Sequence, residues 1–224
     1  MKKNIAGFEI ELTRKKIKNI YLRVLPDGSI TISAPKRVSE SVIEKFVKSK
    51  AQWIAARQSE ENKRIVRDYK DGESIYLFGE RLALVVLQSA KNSIHSEDGK
   101  LILYVKENAD REKLVNEWYR GVLKERISQR LYEWESITGL ESSCWQIRNM
   151  KTRWGTCNVS TRKIWLNLQL AKLPYECLEY VILHELAHLK VSNHGPQFCA
   201  ILDEYMPQWR DIKKRMNNEY KFML

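Results

Sequence analysis

The 224-residue sequence predicts an α+β fold, and three observations carry the prediction. Short runs that alternate apolar and polar residues, separated by turn residues, recur through the first half of the chain. A long helical pattern opens at Asp110 and runs toward Gly139. Apolar helical segments fill the C-terminal quarter, and they hold three of the four histidines.

The elements follow in order. Ile20–Leu25 and Ile30–Ala34 alternate around Pro26-Asp27-Gly28-Ser29, a hairpin signal. Ser39 is placed to cap a helix whose apolar residues include Val42, Ile43, Phe46, Val47, Trp53 and Ile54. The charged stretch from Glu60 to Lys70 reads as the end of that helix and a linker. Ile75–Phe78, Leu82–Leu87 and Leu101–Val105 read as strands, with Asp98-Gly99 as a turn. Asp110 then caps the long helix, with Leu114, Trp118, Leu123, Ile127 and Leu131 among its apolar positions. Two strands, about Trp145–Met150 and Lys163–Leu170, precede a helix that Pro174 suits as a start. No internal repeat is visible in the sequence. The expected organisation is a basic, strand-rich region with one helix over residues 1–105 and a metal-binding catalytic region over 106–224. One continuous domain is the alternative.

The chemistry is concentrated in His184-Glu185-Leu186-Ala187-His188, with His194 six positions on. Residues four apart lie one above the other on a helix face, so two imidazoles at that spacing reach one ion. A hydrolytic zinc site takes three protein ligands and leaves a fourth position for water. Glu185 follows the first ligand and lies beside that water, as a general base would. The apolar lead-in Leu178-Glu179-Tyr180-Val181-Ile182-Leu183 places the motif on a helix, where an accidental match need not lie. A histidine pair held in a core by hydrogen bonds is the bland reading, and the third histidine weighs against it. His194 is the expected third ligand, Asp203 and Glu204 its rivals. If His194 serves, those carboxylates become candidates for orienting a ligand imidazole. Val191 occupies the place where HExxHxxGxxH proteases carry glycine, so Ser192-Asn193 is expected to make the turn, asparagine tolerating a left-handed conformation. Gly195-Pro196 then offers a second break and a new helix start.

Composition sets the surroundings. The N-terminus lacks the apolar run of a signal peptide. No stretch approaches the roughly 18 apolar residues of a membrane span. Cys144, Cys157, Cys177 and Cys199 show no CxxC spacing, which fits free thiols. A soluble cytoplasmic protein, away from membranes, is expected. The net charge of +11 is uneven: residues 1–67 carry 16 Lys and Arg against 7 Asp and Glu. Weak nucleic-acid binding through this basic region is one reading, and a solvated, aggregation-resistant sheet edge is the other. No aromatics interleave with Arg14-Lys15-Lys16-Ile17-Lys18, which favours the latter. Trp118, Trp134, Trp145, Trp154 and Trp165 are expected mainly in packing.

At Arg153-Trp154-Gly155-Thr156-Cys157 and in the helix HELAHLKVSNH the sequence resembles the YgjP-like metallopeptidases, a family of zincin fold related to the SprT and WLM metalloproteases. Leu22 to Gly28, Ala34-Pro35-Lys36-Arg37-Val38, Lys50 to Ile54 and Arg153 to Leu170 resemble further family blocks. Phe198 matches the family's aromatic after the third histidine, and Cys199 stands where tryptophan commonly follows. The resemblance implies a zincin-like core with the N-terminal region packed on it, and a strand around Trp165-Leu166-Asn167 beside the motif helix. It implies Zn2+ held by His184, His188 and His194, with Glu185 as general base. A polypeptide is the expected substrate, attacked at its carbonyl, with Arg153, Arg148 or Tyr205 as oxyanion donor. The alternative substrate is a nucleotide whose phosphates Lys36, Arg37, Arg148 and Arg153 would clamp. A protease delivered to DNA-bound protein by the basic region is a further reading.

Overall fold

Residues with positive φ place the first hairpin. Ala6 and Gly7 adopt φ of 53° and 87°, the two-residue turn whose twist matches antiparallel strands. They join β1 (Lys2–Ile5) to β2 (Phe8–Lys15). The computed structural model describes residues 2–25, 28–62, 68–220 and 223. After β2 come β3 (Tyr21–Val24), β4 (Ile30–Pro35), α1 (Glu40–Ser49) and α2 (Ala51–Asn62). The sheet order is β1-β2-β4-β3, with β2 parallel to β4 and both hairpins antiparallel. Val24 pairs with Ile30 across the expected second turn, whose Pro26 and Asp27 lie outside the described residues, as do 63–67 of the charged stretch. Period-two alternation puts Ile10, Leu12, Ile32 and Ala34 on one buried face, packed with Ile43, Val47 and Ile54 of the helices.

The Ser39 cap is present: its hydroxyl accepts from Val42 N at 3.4 Å. The single helix expected through Ile54 is instead two. Lys50 leaves helical geometry (φ −109°, ψ 7°) and its N–H bonds to Val47 O. The break shifts the helical phase, and Trp53 beyond it is about half exposed rather than core (48%); Val42, before it, lies off the Ile43–Val47 face of α1 and is 50% exposed.

Packing divides the chain into residues 1–66 and 67–224. In the second unit come β5 (Ser74–Leu77), β6 (Glu80–Gln88), β7 (Ser93–Glu97) and β8 (Lys100–Val105). Leu84, Leu101 and Leu103 share a core with the C-terminal helices. This sheet, ordered β5-β6-β8-β7, has the connectivity of the first: hairpin, parallel central pair, hairpin. Phe78-Gly79 (φ 46° and 85°) repeats the Ala6-Gly7 turn. Each four-stranded set is followed by a capped helix, Ser39 leading α1 and Asp110 leading α3. The first unit and the opening part of the second therefore share one strand topology. Its demands on sequence are alternation and turn geometry, which many different residues satisfy, so no repeat shows in the letters.

The long helix, α3 (Arg111–Thr138), starts where Asp110 accepts from Lys113 N at 2.9 Å and ends at left-handed Gly139. Its buried face carries Val115, Tyr119, Leu123, Ile127, Leu131 and Trp134. A three-stranded sheet follows, ordered β10-β11-β9. Its strands are β9 (Cys144–Arg148), β10 (Gly155–Asn158) and β11 (Lys163–Asn167). A 3-10 turn at Leu168–Lys172 leads to α4 (Tyr175–Ala187), then α5 (Pro196–Tyr205) and α6 (Trp209–Asn218). Two contacts set the position of α4. Phe78 N donates to Ala171 O at 2.8 Å, and the Phe78 ring meets Tyr175 edge-on at 5.5 Å. Farther along, Glu179 accepts both Arg130 Nε and Nη2 at 2.7 Å, and Trp134 Nε1 at 2.7 Å. A bidentate, charge-assisted pair of this kind locks helix register.

Candidate metal centre

The α4 sequence is apolar nearly all round because other elements cover it nearly all round. Leu178, Val181, Ile182, Leu183, Leu186 and Ala187 are buried, and such a helix belongs inside a domain. His184 and His188 point from one face of it, with ring centroids 4.9 Å apart. His194 comes from the loop before α5 and completes the group: the three possible ligand atoms all lie within 4.8 Å of one another. His184 Nε2 and His194 Nε2 are 3.1 Å apart. Two nitrogens about 2.0–2.1 Å from one tetrahedral ion would sit roughly 3.3 Å apart, so the spacing suits a small metal ion.

The other ring nitrogens are occupied in the manner a ligand histidine requires. His188 Nδ1 donates to Val191 O at 3.1 Å, which leaves Nε2 as the lone-pair nitrogen. His184 Nδ1 lies 3.3 Å from the Tyr180 hydroxyl. Tyr180 in turn stacks on Trp209 at 6.3 Å and 6°. Phe198 presses on all three imidazoles at 4.7–4.9 Å. Burial first, then the neighbouring imidazoles, pulls His184 down to about 3. Burial lowers His188 as well. Neutral imidazole is the metal-binding form.

Val191, in the place of the protease glycine, contributes its carbonyl to His188. The loop makes its turn without a left-handed residue, contrary to the expectation for Ser192-Asn193: none of residues 188–195 has positive φ. Asn193 acts through its side chain instead, Oδ1 accepting from Gly195 N at 3.0 Å. Pro196 begins α5 as expected.

Glu185, next to His184 on α4, lies against β10 and lines the same cleft as the histidines. It is 4% exposed, and its Oε2 has no hydrogen-bond partner among the described residues. A Cβ on Gly155 would stand 2.5 Å from Glu185 Oε1, so β10 passes the carboxyl this closely because residue 155 is glycine. Burial pushes the Glu185 carboxyl up to about 8, against the opposing charge of Arg153. Around the carboxyl and the histidines lies a cleft of about 490 Å³, lined among others by Arg153, Trp154, Tyr180 and Lys213.

The rival ligands are elsewhere. Asp203 accepts from Trp209 Nε1 at 2.8 Å and pairs with Arg210, and Glu204 is not in the histidine group. Asp203 therefore reaches His184 only through Trp209 and Tyr180. Of the three donor candidates, Arg153 lines the cleft, whereas Arg148 lies over the Trp165 ring at 4.7 Å and Tyr205 is not in the lining. Trp134 is buried, and Trp154 lines the cleft.

Two residues escaped the sequence reading. Gly155 sat inside a recognised block, and a glycine within a strand is a signal of close backbone approach. Asn167 is fully buried: its Nδ2 donates to Met150 O and Arg153 O at 2.8 and 2.7 Å, and its Oδ1 accepts from Met150 N and Gln169 N at 3.3 and 3.1 Å. One amide thereby holds the loop that presents Arg153. Nothing in the local sequence distinguishes it from a surface asparagine.

A family model described as YgjP-like, metallopeptidase domain, matches residues 18–219. The chain belongs to the YgjP-like metallopeptidase family. Membership makes it a hydrolase of the metallopeptidase kind, implies a metal ion, and points to polypeptide substrates. The chain is also similar to the crystal structure of the metallopeptidase zymogen of Pyrococcus abyssi abylysin, with a TM-score of 0.39, 25% identity, and coverage of 42% of this chain and 95% of that one. A second similar structure is the metallopeptidase zymogen of Methanocaldococcus jannaschii jannalysin, with a TM-score of 0.39, 27% identity, and coverage of 42% and 96%. No curated protein matches the chain. None of these comparisons brings forward nucleotide or nucleic-acid binding. No described helix is long and apolar enough to cross a membrane.

Proposed function

We propose that this YgjP-like domain is a zinc-dependent peptidase in which His184, His188 and His194 hold the metal and Glu185 is the general base. The observation that carries the reading is the convergence of three imidazoles beside a buried carboxyl with an unpartnered oxygen. Three nitrogens suit zinc, and a three-ligand site is the open, hydrolytic kind. When bound there, zinc would polarise the substrate carbonyl and lower the pKa of water toward ~7.

The chain's own residues supply the rest. Glu185 is placed to take a proton at its free Oε2, and burial fixes its orientation. Tyr180 and the Val191 carbonyl orient His184 and His188 from behind. Arg153, presented by the Asn167-held loop, is the cleft's candidate for neutralising negative charge on the attacked carbonyl oxygen. β10 stands at the edge of its sheet and lines the cleft, so its free backbone groups can pair with an extended polypeptide. The four free cysteines support a reducing, cytoplasmic setting.

The test is turnover of the zinc-loaded protein on unfolded polypeptide and, separately, on nucleoside triphosphates, with Glu185→Gln as control. Polypeptide cleavage that disappears in Glu185→Gln, with zinc content unchanged, is the expected result. Equal turnover in the variant would overturn the general-base assignment. Glu185-dependent phosphate release with no peptide cleavage would replace the peptidase with a phosphohydrolase.

A further inference from the structure

The charged residues of the cleft are unbalanced. Its lining includes one carboxyl, the buried Glu185, and two side-chain cations, Arg153 before β10 and Lys213 on α6. Neither cation has a hydrogen bond or a salt bridge to a carboxylate among the described residues, whereas other basic side chains on the C-terminal helices do. Arg210 pairs with Asp203, and Arg215 with Glu176. With Glu185, which feels the charge of Arg153, as the one carboxyl in the lining, the cleft keeps an excess of positive charge that attracts anionic groups and raises their encounter rate.

Lys213 is also held near the metal centre. Its ammonium lies 5.5 Å from the Trp209 ring centroid, Trp209 stacks on Tyr180, and the Tyr180 hydroxyl meets His184. One turn farther along α6, Asn217 lines the same cleft, on the same helix face as Lys213 by the i, i+4 rule. An ammonium and a carboxamide side by side offer several N–H donors, a set that matches a carboxylate. Met216 between them is buried and anchors the helix, so the two polar side chains project from a fixed frame.

From this arrangement we infer that the cleft selects polypeptides carrying a carboxylate close to the scissile bond, held by Lys213 and Asn217, with Arg153 adding positive charge from a different element. This rests on the peptidase reading for the meaning of "scissile" but makes a separate claim about binding. The carboxylate has two sources, an Asp or Glu side chain or the free C-terminus of the substrate.

Zinc-loaded Glu185→Gln protein is the reagent for the test, since it holds peptide without turnover. Equilibrium binding is measured for two matched peptide pairs. In one, an internal Glu is compared with Gln, with both ends blocked. In the other, a free C-terminus is compared with its amide, with neutral side chains. The acidic member of at least one pair should bind about 10-fold more tightly, as one charge-assisted hydrogen-bond set allows, and the pair that responds names the source. Lys213→Glu, an exposed substitution in a helix, should abolish the preference or turn it toward Lys-containing peptides. Raising the salt should weaken the preference. Acid and amide binding within about twofold, a preference unchanged in Lys213→Glu, or Lys213-dependent binding of nucleoside triphosphate with none of peptide would each overturn the proposal. Wild-type cleavage is scored separately. A carboxylate preference without any Glu185-dependent cleavage would sink the peptidase reading and leave the binding site standing. Cleavage without preference would do the reverse.

Discussion

Adding one methyl group at Gly155 would set a carbon 2.5 Å from Glu185 Oε1 and 2.8 Å from its Cγ. The carboxyl is walled in by burial, so it would have to rotate away from its position. Gly155→Ala is expected to cut kcat by about 10-fold or more while the protein folds and keeps its metal, checked by turnover beside metal content. At His194 the loss should be of metal. His194→Ala leaves two imidazoles, and zinc affinity should fall by at least about 10- to 100-fold, read by competition with a chelator. Undiminished binding would show that the ion does not use this residue. The Glu185 carboxyl also makes the metal-free protein pH-sensitive. Its folded value is raised to about 8 from 4.5, so the folded state holds a proton that the unfolded state has lost. Stability from this group is full below about 4.5 and declines as pH rises toward 8. His184, pulled down to about 3 from 6.5, and His188, also lowered by burial, act oppositely, an effect that fades as pH rises past 7 and both become neutral in the unfolded state too. Urea unfolding of metal-free protein between pH 7 and 8 should therefore show stability falling by roughly 0.5–1 kcal/mol per pH unit, with that fall gone in Glu185→Gln.

At the scale of elements, α4 is placed by its neighbours rather than by its own propensity. Glu179 joins it to Arg130 and Trp134 of α3. Glu179→Gln removes the charge and leaves the guanidinium with a weaker partner. A loss of about 3 kcal/mol is expected, measured by urea denaturation, with near-normal metal stoichiometry at low temperature. Signals at helix ends were readable in the sequence, because a cap acts through residues adjacent in the chain: Ser39, Asp110, Gly139 and Pro174 all stand where the structure uses them. Strands were less legible. β2, with Glu9, Glu11, Thr13 and Lys15 on its outer face, reads as a charge run until its partner β4 gives its Ile10 and Leu12 something to cover. β10 has the letters of a loop, and its pairing with β11 makes it a strand. Tertiary pairing outweighs weak local propensity in such segments.

For the whole molecule, each unit carries its own apolar cluster: residues 10–54 in one, residues 69–216 in the other. A chain beginning at residue 67 is therefore expected to unfold in one cooperative thermal transition and to bind one metal ion, checked by calorimetry and metal analysis. Absence of a transition would show that the second core needs the first unit. The doubled strand order could not be read from residue identities, since equivalent positions share only an inward-facing apolar side chain or a left-handed turn.

The sequence by itself determined the chemistry: a helix with histidines four apart, a glutamate between them and a third histidine just downstream. Those residues are near neighbours in the chain, and helix geometry alone brings the first two together. Only the tertiary structure decided what surrounds them. It placed Gly155 against Glu185, Asn167 under the Arg153 loop, Tyr180 and Trp209 behind His184, and Lys213 at the cleft. It also drew Asp203 into a pair with Arg210 and left it out of the histidine group. These contacts join residues from separate elements, and their partners are set by packing that no local pattern records.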